Sequence, residues 1–150
     1  MELDYPYKIT VKLPGDLEYI PSIRKFVSEV LQVSGFSSKF AFRSEIIVDE
    51  ICNNAVSYGS DNELGSEVEL ICEIFKDRIE FVVKDKGGKS IHTDRLKDAI
   101  NKKSKSETFD PFGLGLEIVK MLSESIKFEI GDNNVTSIHI VRKRETANQS

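Results

Sequence analysis

Two pairs of residues in this chain have the types and spacing that phosphate chemistry needs. Glu50 and Asn54 lie four positions apart, so on a helix their side chains share one face and can act on the same ion. Asp85 and Gly87 follow a run of alternating apolar residues, where they place a carboxylate and a flexible turn at the end of a strand. A base, an amide ligand and an acceptor are therefore available to one site.

A third group, Gly113, Leu114 and Gly115, opens a run of helical periodicity. Glycines at the start of a helix leave backbone N–H groups accessible, and the positive end of the helix dipole attracts phosphate oxygens there. Each of the three groups alone is more often an ordinary solvated helix face, turn or loop. Their combination and order predict a nucleotide pocket.

The chemistry expected of each residue follows from its side chain. The Asn54 amide oxygen is a hard donor of the kind that Mg²⁺ accepts, and the Glu50 carboxylate can take a proton from an attacking hydroxyl or water. Asp85 can accept a hydrogen bond from an exocyclic amine such as that of adenine. Thr136 has two equally weighted interpretations, an ordinary strand threonine or a contact to adenine.

Hydrophobic periodicity predicts the elements that position these residues. Strict alternation predicts strands over 7–13, 68–74, 79–85, 126–130 and 136–140. Helical spacing predicts helices over 20–34, 38–58 and 114–122. Gly35 and Gly59 suit the positions just after the first two helices. Along the third strand, parity places Asp85 on the same face as Phe81 and Val83 and therefore toward the core.

Strands that follow one another in pairs, and three helices that each need an apolar cover, predict an α+β fold. In this fold one mixed, mostly antiparallel sheet carries the helices on a single face, as a two-layer sandwich. Residues 88–110 are largely polar and predict a mobile loop. On the opposite sheet face, the apolar residues Ile71, Phe75 and Val82 could serve a homodimer or another partner, or could equally be shielded by the first strand.

The bulk composition fits one domain over residues 1–150, with a core over about 7–142. A formal net charge of -4 gives no electrostatic reason to expect direct binding to nucleic acid. The apolar runs are too short to cross a bilayer and the first residues do not resemble a signal peptide, so we expect a cytoplasmic protein outside the membrane. Cys52 and Cys72 lack the paired spacing of a metal site and are expected to be buried thiols.

The motifs Glu50-x-x-x-Asn54, Asp85-x-Gly87 and Gly113-x-Gly115, in this order, resemble the N, G1 and G2 boxes of the GHKL superfamily of gyrase, histidine-kinase and MutL ATPases. The chain lacks a phosphoacceptor-histidine helix pair. Its segments Asp-Glu-Ile-Cys-Asn-Asn-Ala-Val and Gly-Leu-Gly-Leu-Glu-Ile-Val are similar to segments of the bacterial anti-sigma-factor serine/threonine kinases of the RsbW and SpoIIAB type. The resemblance implies the two-layer fold of the Bergerat (histidine-kinase-like ATPase) type.

The resemblance also implies ATP and Mg²⁺ as cofactors and a role for each motif residue. Glu50 would be the general base, Asn54 the Mg²⁺ ligand and Asp85 the adenine contact. The other residues around the nucleotide would be Gly87, Gly113, Leu114, Gly115 and Thr136. Residues 88–110 would form a lid. Such a protein would sequester a sigma factor and phosphorylate a Ser or Thr of a small anti-sigma-factor antagonist.

Two alternatives stay open at this point. The first is a docking module that binds nucleotide without catalysis, or has lost the nucleotide, and regulates a partner by sequestration. Lys89 stands where the Asp-x-Gly motif usually continues to a second glycine, and Pro111 lies where some members carry a basic residue, which favours this alternative. Tyr58 replaces a histidine that is frequent in these kinases. The second alternative is a switch component that acts with a phosphatase or receiver protein and without a sigma factor.

Overall fold

The computed structural model describes residues 5–56, 67–86, 111–131 and 135–145, with the backbone alone at 86 and 111–114. Its strands are β1 (Tyr7–Pro14), β2 (Glu67–Ile74), β3 (Arg78–Lys86), β4 (Ser125–Ile130) and β5 (Val135–Lys143). Its helices are α1 (Ile20–Val33), α2 (Ser38–Asn54) and α3 (Pro111–Leu122). The predicted order of strands and helices is confirmed. Three of the predictions, namely Gly59 after the second helix, Gly87 and the lid, lie outside the described residues.

The five strands form one sheet in the order β1-β2-β3-β5-β4, and each described pairing is antiparallel. Alternate residues of each strand face the helices, and those of the central strands are buried. The apolar residues that β2, β3 and β5 contribute to the core between sheet and helices are Val68, Leu70, Cys72, Ile74, Ile79, Phe81, Val83, Ile138 and Ile140. The core therefore lies between one face of the sheet and the helices, as an α+β two-layer fold requires.

Local signals account for the end of α1 and the start of α2. Gly35 has a φ of +89°, and its N–H bonds to the carbonyl of Gln32, while the N–H of Phe36 bonds to the carbonyl of Leu31. This pair of bonds closes α1 with a glycine in the left-handed region, which is the common helix-ending motif. Ser37 then caps α2, because its hydroxyl accepts a hydrogen bond from the N–H of Phe40 at 3.1 Å.

The apolar residues on the sheet face that points away from the helices are partly shielded. Ile71 is only 9% exposed, because β2 is an interior strand and Ile71 is flanked in register by Thr10 and Val82 on both neighbouring strands. The guanidinium of Arg78 lies 3.7 Å from the centre of the Phe75 ring and covers it. Of the two alternatives for this face, shielding by the first strand therefore applies to Ile71.

The two cysteines are free and buried, as predicted, and burial raises the pKa of each thiol to about 12. Within the described part of the chain, no helix combines the length and the apolar character needed to cross a membrane.

Candidate nucleotide site

The second half of α2 carries the acid and the amide that the motif predicted. Glu50 is partly buried, and Asn54, one turn further on, is 7% exposed. Both follow the apolar stripe of α2, whose residues Ile47 and Ile51 are completely buried against the sheet. Glu50 and Asn54 therefore lie on one side of α2, beside its buried stripe.

The Asn54 amide has an unusual environment. Its Nδ2 is buried and has no hydrogen-bond partner among the described residues. Buried polar groups in folded proteins are nearly always paired, and an unpaired one costs about 1–3 kcal/mol. The Asn54 side chain offers an oxygen that can bind a cation and an N–H group that can donate to an acidic oxygen. It therefore fits a ligand that carries both, such as a phosphate group with its cation.

Glu50 of α2 lies directly against Gly115 of α3. A Cβ atom added at Gly115 would overlap Glu50 Oε2 and would lie 2.9 Å from Glu50 Cδ. Only a glycine lets the backbone of α3 approach the carboxylate this closely. In this structure, the space left by Gly115 is thus occupied by the side chain of the predicted base.

Burial and a neighbouring charge change the acidity of Glu50. Desolvation is the larger cause and the negative charge of Asp49 the smaller, and both raise the pKa of Glu50 above its ordinary value. Asp49 itself is paired with Arg24, whose Nη1 lies 3.1 Å from Asp49 Oδ1. A carboxylate with a raised pKa is a stronger proton acceptor when it is ionised, which suits a general base.

Asp85 and Thr136 form a second pair on the helix-covered face of the sheet. They are opposite each other in the register of β3 and β5, and the Thr136 hydroxyl donates to Asp85 Oδ1 at 2.6 Å. Asp85 is 7% exposed, so the inward direction predicted from strand parity is confirmed. Burial raises the pKa of Asp85 to about 6, although the bond from Thr136 opposes the shift.

The third motif lies in α3, which begins two residues earlier than Gly113, at Pro111. Proline suits the first helical position because its ring presets the backbone angle and that N–H has no partner inside the helix. Gly113 and Leu114 therefore lie in the first turn and Gly115 just after it, at the start of the helix as predicted. Pro111 also removes one of the N–H groups that a phosphate could use.

The structure brings together Glu50 and Gly115, keeps Asn54 one turn away, and pairs Asp85 with Thr136 at the end of β3. Gly87 lies outside the described residues, and Leu114 is described only by its backbone. The roles assigned to all these residues stay predictions. Groups of three or more His, Cys, Asp or Glu side chains that could bind a metal are absent from the described residues. A cation here would be bound largely by phosphate oxygens and water, with Asn54 as a protein ligand, as Mg²⁺ commonly is.

Arg142 was not predicted from the sequence. It is 4% exposed and lies on the inward face of β5, after Thr136, Ile138 and Ile140. The same parity rule that placed Asp85 would have found it. An inward-facing arginine at the end of an apolar row is a signal, because a charge is rarely buried without partners.

Comparison with known proteins identifies the family of this chain. The model of the histidine kinase-like ATPase domain family matches residues 13–140. Serine-protein kinase RsbW of Bacillus licheniformis is 34% identical over 133 residues, which are 85% of this chain and 81% of that protein. Serine-protein kinase RsbW of Staphylococcus epidermidis is 30% identical over 146 residues, 93% of this chain and 91% of that protein.

Among solved structures, that of the RsbU and RsbW domains of a Mycobacterium tuberculosis protein superposes with a TM-score of 0.65 at 15% identity. The match covers 94% of this chain and 34% of that longer one, and it supports the fold alone. The chain therefore belongs to the histidine kinase-like ATPase family, as a relative of the RsbW serine-protein kinases.

Proposed function

We propose that this protein is a cytoplasmic, ATP- and Mg²⁺-dependent serine/threonine kinase that also acts as an anti-sigma factor. In this proposal it sequesters a sigma factor and phosphorylates a small antagonist protein, and the phosphorylation state of the antagonist decides which partner is bound. Assembly as a homodimer belongs to the same proposal. The names of the matched relatives support the kinase class, and the partners come from the family resemblance.

The observation that carries the proposal is the contact between Glu50 and Gly115. It places a partly buried carboxylate beside the first turns of α3, the end of the helix that attracts phosphate. Phosphoryl transfer needs an acceptor for the proton of the attacking hydroxyl close to the transferred group. Glu50 has both the position and the raised pKa for this step.

Asp85 would select the base of the nucleotide. Its carboxylate is held on one side by Thr136, so its rotation is restricted while it retains further acceptor capacity. A buried acceptor of this kind favours an exocyclic amine as its partner. A base such as guanine, which has a carbonyl where adenine has its exocyclic amine, would leave the carboxylate unpaired. We therefore infer a preference for adenine over guanine at this position.

Asn54 would hold the cation on the side of Glu50. When bound, Mg²⁺ supplies positive charge that neutralises the phosphates during transfer. The Asn54 amide oxygen can bind the ion while its Nδ2, unpaired among the described residues, donates to a phosphate oxygen.

Isothermal titration calorimetry with Mg²⁺-ATP on the wild type and on Asp85→Asn is the first test. We expect binding that requires Mg²⁺ and weakens in the variant, while GTP binds poorly to the wild type. Asp77→Asn is the matched control, because Asp77 has the same charge but an exposed side chain at a turn. If the wild type does not bind ATP with Mg²⁺, the proposal is wrong.

Phosphate transfer to a purified antagonist tests the catalytic step. Glu50→Ala should bind ATP with ordinary affinity and lose transfer, because the proton acceptor is absent and the adenine contact is intact. Transfer at the wild-type rate by this variant would exclude Glu50 as the base.

A second candidate function is a nucleotide-binding docking module without transfer activity. Pro111 favours it, because the first residue of α3 has no N–H to offer a phosphate. ATP binding in calorimetry, combined with absence of transfer to any tested antagonist, would support this candidate over the kinase.

A further inference from the structure

Arg142 lies near the end of β5 with its side chain on the helix-covered face, and it is 4% exposed. Burial lowers the pKa of its guanidinium to about 10, so the group still carries its charge at neutral pH. Placing a charge in this environment is costly unless its N–H groups are satisfied. Its partners therefore indicate why an arginine is present.

The guanidinium joins two helices that are distant in sequence. Its Nε donates to the carbonyl of Leu122 at 2.8 Å, and its Nη1 donates to the carbonyl of Phe40 at 2.9 Å and to Ser44 Oγ at 2.7 Å. Leu122 is the last residue of α3, whereas Phe40 and Ser44 belong to the first half of α2. A guanidinium is planar and rigid, so these bonds define both the separation and the orientation of the two helices.

Both helices carry polar groups that depend on this arginine. Ser44 is completely buried, and its hydroxyl donates to the carbonyl of Phe40 at 2.9 Å while it accepts from Arg142. The carbonyl of Leu122 is one of the four at a helix end that lack an intrahelical partner, and a cation is favourable there. The bonds of Arg142 thus satisfy groups on α2 and α3 at the same time.

A stack of side chains continues from the same site. The Arg142 guanidinium lies 4.0 Å from the centre of the Phe40 ring, which stacks on Phe36 at 4.7 Å, and the Arg144 guanidinium lies 3.8 Å from the Phe36 ring. Arg144, however, donates to the carbonyl of Lys76, in the turn between β2 and β3, and to that of Gly35, in the turn between α1 and α2. The two arginines share one kind of packing, but only the bonds of Arg142 reach α3.

We propose that Arg142 is a positioning residue for the nucleotide site, and that it sets how closely Gly115 of α3 approaches Glu50 of α2. Ser44 precedes Glu50 by six residues and Gly115 precedes Leu122 by seven, about 9 and 10 Å along the helices. Each segment is a short, stiff piece of helix, so a shift at the anchor is transmitted to the contact. The effect on catalysis rests on the proposed function, whereas the effect on helix placement does not.

The variant Arg142→Lys tests this role, because it keeps the charge and the apolar stem but loses the planar group that reaches both helices. Arg144→Lys is the matched control, because it removes the same kind of ring contact and carbonyl bonds from the residue that directly follows β5. Both variants are expected to lower the melting temperature. Ser44→Ala is a second test variant, which removes an acceptor on α2 and retains Arg142.

The first measurement is the distance between spin labels at positions 42 and 121, on α2 and α3. Phe42 and Met121 are 61% and 82% exposed, and the native cysteines are buried, so cysteines introduced at these positions can be labelled selectively. We expect a broadened or shifted distance distribution in Arg142→Lys and in Ser44→Ala, and a wild-type distribution in Arg144→Lys. A wild-type distribution in Arg142→Lys would overturn the proposal.

The second measurement is the rate of phosphate transfer at a temperature where all variants are folded. Couplings of this kind change rates by about 2-fold to 30-fold, and we expect a loss in that range for Arg142→Lys but not for Arg144→Lys. Combined with Gly115→Ala, Arg142→Lys should lower the rate by less than the product of the two single effects. Equal losses in Arg142→Lys and Arg144→Lys would reduce Arg142 to a residue that only stabilises the fold.

Calorimetry of Mg²⁺-ATP binding and the label distances together separate the two proposals. If the wild type does not bind Mg²⁺-ATP, the proposed function fails, and the label distances still decide whether Arg142 anchors α3. If ATP binds and the distances do not respond to Arg142→Lys, the proposed function stands and the anchoring proposal fails.

Discussion

Replacing Gly115 by alanine tests which group this glycine makes room for. The motif alone suggests that the bare backbone lets phosphates approach, whereas the structure places the carboxylate of Glu50 against it. The two explanations predict different kinetic defects. A loss of ATP affinity would indicate phosphate approach, and a loss of transfer rate with normal affinity would indicate placement of the base.

The size of the effect follows from the contact. The added Cβ would lie 2.9 Å from Glu50 Cδ, whereas carbon atoms in contact are about 3.5–4.0 Å apart. The carboxylate must therefore retreat by roughly 1 Å, and a misplacement of that size can reduce a rate by about 100-fold. Stability should change little, because alanine in a helix gains up to about 1 kcal/mol over glycine and the displaced side chain opposes this gain.

The assay pairs calorimetry of Mg²⁺-ATP with transfer of phosphate to the antagonist under saturating ATP. We expect Gly115→Ala to keep its ATP affinity within about 3-fold and to lose transfer by about two orders of magnitude. Gly131→Ala is the control, because a Cβ there would lie 3.7 Å from the carbonyl oxygen of Val135, an ordinary contact. Wild-type transfer by Gly115→Ala would refute the reasoning from the Glu50 contact.

Three further predictions concern charge and burial. Asp85→Asn should be more stable than the wild type at pH 7 by up to about 3 kcal/mol, at about 1.4 kcal/mol per pKa unit, because the pKa of Asp85 is raised from 3.8 to about 6. Between pH 3.8 and about 6, the folded wild type holds a proton on Asp85 that the unfolded chain has released. The free energy of unfolding of the wild type therefore falls as pH rises from about 4 to 6, and urea unfolding of the variant should lack this slope. Asn54→Ala should weaken Mg²⁺-ATP binding in calorimetry, and an unchanged affinity would exclude Asn54 as a ligand. Its melting temperature should hold or rise, because the change removes an amide whose Nδ2 has no partner among the described residues. Asp49→Asn should shift the acid limb of the plot of transfer rate against pH to lower pH, because the charge of Asp49 raises the pKa of Glu50. An unshifted acid limb would mean that the protonation of Glu50 does not control the rate there.

Much of the fold was predictable because it depends on neighbours along the chain. Alternation along β3 was enough to direct Asp85 toward the core, and Gly35 and Ser37 mark the end of one helix and the start of the next by backbone geometry and capping. The spacing of Glu50 and Asn54 likewise places them on one helical face whatever surrounds the helix. These conclusions need only the period of the element and the chemistry of single residues.

The contacts that make the site were decided by the tertiary structure. Gly115 meets Glu50 across 65 positions of sequence, Thr136 bonds Asp85 across 51, and Arg142 bonds the carbonyl of Phe40 across 102. Periodicity determines which face of an element is buried, but it does not contain the distance or angle at which two buried faces meet. That geometry depends on how the helices pack together on the sheet, and a difference of about 1 Å there decides whether a carboxylate is in place to act.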